Sequence, residues 1–213
     1  MAITLHCLSG SPYAWRVMLA LELKGLAYTP RWLSFDAGDF QSLDFADLNP
    51  RRRVPVLVDD GFVLYESAAI VEYLDDAYAR TPRLFAADVQ ARAIERRLVR
   101  EADQYVAPAL EHLVEAVLFT PPEQRSPTQV AAGWTALRAE LARWESLVDG
   151  EWLVGRLSAA DITLFPLLAL ARRIALRTPE AVGGELTGPR LAAWAARVQA
   201  LPLVQQTWPP HWR

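Results

Sequence analysis

"VPVLVDDGFVLYES", residues 54 to 67, decides the fold. Apolar runs of strand length flank Asp59, Asp60 and Gly61, which is a hairpin signal. The stretch then passes directly into a helical pattern, "SAAIVEYLDDAY". Working back toward the N-terminus, "ITLHCL" alternates, with Ile3, Leu5 and Cys7 on one face, and predicts a strand. Residues from Pro12 to Lys24 read as a buried helix, with Gly25 as its terminator. "AYTPRWLS" reads as a second strand, which Pro30 assigns to a sheet edge because it has no N–H to donate. Residues 35 to 49, rich in Asp, Gly, Ser and Asn, predict a loop with one short helix. The order strand, helix, strand, irregular segment, hairpin, helix is an α/β unit with a mixed sheet of about four strands.

Working forward, "ARTPRLFAA", residues 79 to 87, breaks the periodicity with Thr-Pro and reads as a linker. Beyond it no strand pattern occurs. Ile94, Leu98, Tyr105, Leu113 and Val117 recur at three- and four-residue steps and predict one long helix over 88 to 118, bent at Pro108. "TPPEQRSP" is a loop. Residues 128 to 149, 158 to 174 and 190 to 200 give further helices, and Leu191, Trp194, Val198 and Leu201 form the apolar stripe of the last. Ser158 and Asp161 match a capping box, with Leu157 and Ile162 at the staple positions, a structural signal without chemistry. The predicted organisation is an α/β domain over 1–78, a linker over 79–87 and an all-helical domain over 88–213.

Composition narrows the function. Of 213 residues, 52% are hydrophobic and 22% charged, which excludes disorder and supplies a core. No apolar run approaches the ~18 residues of a membrane span. "MAITLHCLSG" lacks a basic, then apolar, leader, so the expected location is cytoplasmic. The net charge of -3 offers no general attraction to nucleic acid or an anionic membrane, and neither is expected as a partner. The one cysteine, Cys7, precludes an internal disulfide. With the histidines at 6, 112 and 211, no metal-site spacing arises, and no metal is expected.

Four motifs in fixed order now stand out: a hydroxyl residue and proline opening the first helix, "SPYAWR"; "NPRRRVPVL" entering the third strand; "YES" closing the hairpin; and "SAAD" in the helical part. Together, over essentially the whole chain, they resemble the cytosolic glutathione S-transferase family. "SPYAWRVMLALELKGLAY" is most similar to the serine-type subgroups, tau and zeta. The resemblance implies a thioredoxin-like N-terminal domain, a helical-bundle C-terminal domain, glutathione as co-substrate, an apolar electrophile as second substrate, and a homodimer.

It also implies roles for single residues. Ser11 would donate a hydrogen bond to the glutathione sulfur. A donor aimed at a thiolate, beside the positive end of a helix, lowers the thiol pKa from about 8.5 and raises the nucleophile's concentration. The plain alternative is that Ser11 only caps the helix, with Pro12 at its first position. Ser9 is the rival hydroxyl. Val54-Pro55 would be cis, turning the Val54 backbone toward the cysteinyl backbone of glutathione like an added strand. Ser67, at a helix start, would hold the γ-glutamyl carboxylate, and Glu66 the ammonium group. Arg53 matches a lysine that reaches the glycyl carboxylate, which a guanidinium can grip bidentately. Arg52-Arg53 stands where relatives have Gly-Lys, so the missing glycine puts the local turn in question.

Cys7, alternating with Ile3 and Leu5 on a strand face, reads as a buried, inert thiol, and relatives with disulfide chemistry carry cysteine where this chain has Ser11, which argues against that chemistry here. Tyr105, Phe119 and Trp208 are candidates to line the electrophile pocket. The expected activity is conjugation of the glutathione thiolate to apolar electrophiles. The alternatives are a glutathione-dependent isomerase of the maleylacetoacetate type, whose Ser-Ser-Cys is here Ser11-Pro12-Tyr13, or a non-catalytic binding or regulatory relative on the same fold.

Overall fold

The hairpin forms as expected: β3 (Val56–Asp59) and β4 (Phe62–Tyr65) pair antiparallel, Val56 opposite Tyr65 and Asp59 opposite Phe62. Asp60 and Gly61 both take positive φ, 46° and 90°, as the two-residue turn that matches strand twist demands. This computed structural model describes residues 2–148 and 150–212. Met1, Asp149 and Arg213, which fall in the first domain, the 128–149 helix and the helical domain of the sequence reading, lie outside the described residues.

β1 (Ile3–Cys7) joins the hairpin through β3, antiparallel, with His6 opposite Val56. β2 (Tyr28–Trp32) pairs parallel with β1 on the other side, giving the order β2-β1-β3-β4. Pro30 therefore lies on an edge strand. α1 (Pro12–Lys24) and α3 (Ser67–Ala77) pack together, and Leu5, Val17, Leu21, Leu57, Ile70 and Leu74 are wholly buried. Each such aliphatic side chain contributes about 1.5–3 kcal/mol by leaving water. The irregular segment holds a 3-10 turn, Asp39–Gln41, and α2 (Leu43–Leu48), whose Phe45 packs with Phe40 and Val56. The linker residues Leu84 and Phe85 are buried rather than solvated. They are tied down at Asp75, which accepts from the Leu84 N–H (2.7 Å) and pairs with Lys24 (3.5 Å) and Arg83 (2.8 Å).

The helical part differs from expectation at its first helix. α4 (Val89–Glu101) runs into a π-helical turn, Ala102–Val106, then α5 (Ala107–Leu113), then a second π-helical stretch, Val114–Phe119. The span is continuous, but not one uniform helix. Pro108 sits in the first turn of α5, just after the first π turn. The wider turn resets the hydrogen-bond ladder where proline would otherwise lose a donor and strike the carbonyl four residues back. α6 (Pro127–Leu147), α7 (Ala159–Ala175), a single turn α8 (Pro179–Val182) and α9 (Pro189–Gln199) follow.

The capping box at α7 is present. Asp161, fully buried, accepts from the Ser158 N–H (2.9 Å), the Leu153 N–H (3.1 Å) and the Trp194 indole (2.8 Å). Burial pushes its carboxyl pKa up, and these donors oppose the shift.

The chain beyond residue 200, read from the sequence as having no element, forms α10 (Pro202–Thr207) and a 3-10 turn, Pro210–Trp212. Both are short and begin with proline, so they leave no periodic trace. The chain divides into two compact units. The first runs to Phe85 and takes in the chain again from Pro202; the second is Ala86–Leu201. Residues 202–212, grouped by the sequence reading with the helical domain, thus pack in the first unit, where α10 lies against α1. Among the described residues no helix is long and apolar enough to cross a membrane.

Candidate functional site

The register of the sheet gathers the sequence motifs at one end. β1 ends at Cys7 and leads to Ser9–Ser11; its neighbour β3 begins at Val56, just after Val54-Pro55; and β4 ends at Tyr65, just before Glu66-Ser67.

The first motif is a turn. The Ser11 N–H donates to the Leu8 carbonyl at 3.1 Å, and Gly10 supplies the φ of +86° that this turn needs at its third residue. Ser11 then caps α1: its Oγ accepts from the Ala14 N–H at 3.3 Å, with Pro12 next in line. Capping uses an oxygen lone pair. It leaves the hydroxyl proton free for another acceptor, so the cap and the donor role are compatible. Ser9 and Ser11 line one cavity of about 100 Å³ with Trp15, Met18 and Trp32. The far wall comes from residues 206–210, including Thr207 and Trp208.

That wall was not legible in the sequence. Trp15, 2% exposed, donates its indole N–H to Thr207 Oγ1 at 2.8 Å. Its ring meets those of Trp208 and Trp212 edge-on at 5.2 and 5.8 Å. His211 Nδ1 lies 3.1 Å from Ser9 Oγ. Only the eventual packing of a segment two hundred residues away could reveal these partners; Trp208 alone was singled out, as an aromatic.

The Val54–Pro55 bond is cis. Val54 lies before the first paired residue of β3, so the ladder does not use its backbone groups. The arginine turn ahead of it is organised by Asn49, 2% exposed. The Asn49 side chain accepts from the Arg51 N–H (3.0 Å) and donates to the Arg53 carbonyl (2.7 Å); its own carbonyl accepts from the Arg52 N–H (2.9 Å). Arg52 takes φ +52°, the left-handed conformation a glycine would adopt freely. Its guanidinium is held by the carbonyls of Phe40 (3.0 Å) and Ser42 (3.4 Å). Arg53 and Arg51 are exposed. The Asn-Pro pair at 49–50 was the available signal for this turn.

Glu66 is the N-cap of α3, in place of Ser67, and has φ +72° with no side-chain cap bond. Such a backbone in a residue with a Cβ costs about 1–3 kcal/mol. Ser67, buried, is the first helical residue, and no acidic side chain lies in that first turn. The one acidic residue at the positive end of α3 is thus Glu66 at the cap, whose side chain makes no capping bond to the helix's first N–H groups. Arg53, Val54, Pro55, Glu66 and Ser67 lie along the same sheet end as Ser11 but do not line its cavity. Cys7 is fully buried; burial pushes its thiol up to about 12, far from reactivity. Among the described residues no cluster of metal-ligating side chains exists.

Comparison with known proteins places the fold. Residues 10–77 match the model of the glutathione S-transferase N-terminal domain. A probable maleylacetoacetate isomerase of Vibrio cholerae is 31% identical over 99% of this chain and 97% of its own. Glutathione S-transferase theta-1 of Mus musculus is 35% identical over 76% of this chain and 68% of its own. A glutathione transferase of Burkholderia graminis, solved with two glutathione molecules per subunit, superposes with a TM-score of 0.85 at 26% identity, over 97% of this chain and 87% of that one. A fold with this sheet end, matched in sequence to such relatives along nearly its whole length, has one attribution: the chain belongs to the cytosolic glutathione S-transferase family.

Proposed function

We propose that the protein is a glutathione transferase that joins the glutathione thiolate to apolar electrophiles, with Ser11 as the catalytic donor to the sulfur. The observation that carries this reading is the Ser11 hydroxyl: anchored by the Ala14 N–H, its proton still free, it lines a largely apolar cavity at the start of α1 that includes three tryptophans. The remaining contacts follow the shape of glutathione. The γ-glutamyl carboxylate sits at the positive end of α3, where no side chain makes a cap bond, on the Ser67 N–H and hydroxyl. Glu66 takes the ammonium group. The cysteinyl backbone pairs with Val54 as an added strand, shaped by Pro55, and Arg53 grips the glycyl carboxylate.

The thiol loses its proton to water, and the thiolate attacks an electrophilic carbon. With an aryl halide, the carbon–sulfur bond forms, the carbon–halogen bond breaks and halide leaves. The indoles of Trp15, Trp32 and Trp208 offer the apolar surface for the acceptor. The working protein is a homodimer in the cytoplasm.

A second reading, cis–trans isomerisation through reversible thiolate addition, is favoured by the kinship with a probable maleylacetoacetate isomerase along nearly the full chain. It uses the same thiolate. Product analysis with a cis-enone diacid and with an aryl halide separates the two.

The deciding experiment is the ultraviolet thiolate absorbance of bound glutathione against pH. In the wild type the thiol ionises well below its free value. A hydrogen bond to a charged group is worth about 1.5–3 kcal/mol, so Ser11→Ala raises that pKa by about 1–2 units. Glutathione that binds with an unshifted thiol in both proteins would refute the Ser11 mechanism.

A further inference from the structure

The partner of Ser9 gives this cavity a second polar device. We propose that His211 is a positioning residue that turns the Ser9 hydroxyl toward the glutathione sulfur, making Ser9 a second donor beside Ser11. The proposal rests on the thiolate reading above and deepens it.

Both serines line the same cavity, but their hydroxyls are committed differently. Ser11 accepts from a backbone N–H and keeps its proton. Ser9 lies 3.1 Å from His211 Nδ1, and a hydroxyl has one proton. If Nδ1 carries hydrogen, it donates to Ser9 Oγ and leaves the Ser9 proton free for the cavity. If Nδ1 is bare, the Ser9 proton is consumed by the imidazole and Ser9 offers the sulfur nothing. A thiolate in the cavity favours the first arrangement, because the chain from imidazole N–H through hydroxyl to anion then runs donor to acceptor throughout, each bond polarising the next.

The imidazole is held for this task. A Cβ on Gly10 would lie 3.1 Å from both His211 Cε1 and Nε2, so the ring rests directly on the Ser9–Ser11 turn. Trp212 flanks the ring at 6.0 Å and packs in turn on Trp15, within the helix that Ser11 caps. His211 itself is exposed, so substituting it tests the site with little cost to the fold.

The test is the same absorbance titration of bound glutathione, applied to Ser9→Ala, His211→Phe, His211→Asn and the double variant Ser9→Ala/His211→Phe. Loss of either partner raises the bound thiol pKa by about 0.5–1 unit, less than loss of Ser11 because the pair stands closer to water. The double variant shifts no further than either single one, since the two act as one relay. Asn at 211, whose amide N–H falls near the position of Nδ1, restores the wild-type value. A thiol pKa unchanged in Ser9→Ala or His211→Phe, while Ser11→Ala raises it, overturns the relay and leaves the Ser11 mechanism standing. An unshifted thiol in the wild type overturns both.

Discussion

At the scale of single residues, Asn49 organises the arginine turn. Three hydrogen bonds from its side chain and carbonyl close the loop over residues 49–53, and they hold Arg52 in a left-handed conformation its Cβ disfavours. Asn49→Ala leaves the part-buried Arg51 N–H and Arg53 carbonyl without their partner and lowers stability by about 1 kcal/mol in urea denaturation. It also weakens glutathione binding by calorimetry, because Arg53 and Val54 follow the turn. The Asn-Pro dipeptide hinted at a turn, but nothing in the sequence indicated that a buried amide would organise it; that depends on where the chain around Phe40 and Ser42 comes to rest. Cys7, by contrast, was legible from strand alternation alone. Its thiol pKa is raised in the fold, to about 12 from the reference 9.0. The stability this contributes is whole below pH ~9 and is lost as pH rises from there toward 12. In the native protein at pH 8, iodoacetamide labels Cys7 negligibly, and in denaturant it does so fully; appreciable native labelling would contradict the burial.

At the scale of elements, the helices that were legible carry their own punctuation. Pro12 and Gly25 bound α1, and Ser158 with Asp161 opens α7, so the local signals and the fold agree. Ser158→Ala costs about 0.5–2 kcal/mol as an ordinary cap. Because the lost hydroxyl also serves the buried Asp161 carboxylate, the upper half of that range is expected by thermal denaturation, with glutathione affinity unchanged. The π-helical turns around Pro108 were not legible, since periodicity reports faces and not the pitch by which a proline is accommodated. The Ser9–Ser11 turn is the tightest element of the site. Gly10→Ala adds a Cβ at φ +86° and at 3.1–3.2 Å from His211 and Trp212. It dislodges residues 208–212, visible as faster proteolysis near Trp208 and as altered tryptophan fluorescence.

At the scale of the whole molecule, composition and motif order were enough for the α/β unit, the helical part and the family. They could not show that the chain returns to its first unit, because the returning residues follow no period and make contacts only with residues far away in sequence. The return is substantial. A chain stopped at residue 201 lacks the groups that cover Trp15 and accept its indole N–H, and loses about 2–4 kcal/mol of stability. Its bound glutathione thiol also moves toward the free value, to the extent that Ser9 depends on His211; the same titration measures this.

Because Ala86–Leu201 lies between the two parts of the first unit, order of synthesis becomes part of the enzyme's biology. At ordinary translation rates of about 5–20 residues per second, the ribosome needs on the order of ten seconds to make the intervening stretch. Throughout that interval a nascent chain carries its sheet and first helix with the indole of Trp15 uncovered, a natural target for chaperones. Premature termination anywhere in the second unit would yield a polypeptide with Ser11, Arg53, Val54, Glu66 and Ser67 in place but without His211 and with an unfinished acceptor cavity. A cell would have such products recognised by an exposed tryptophan rather than by misfolding of the sheet.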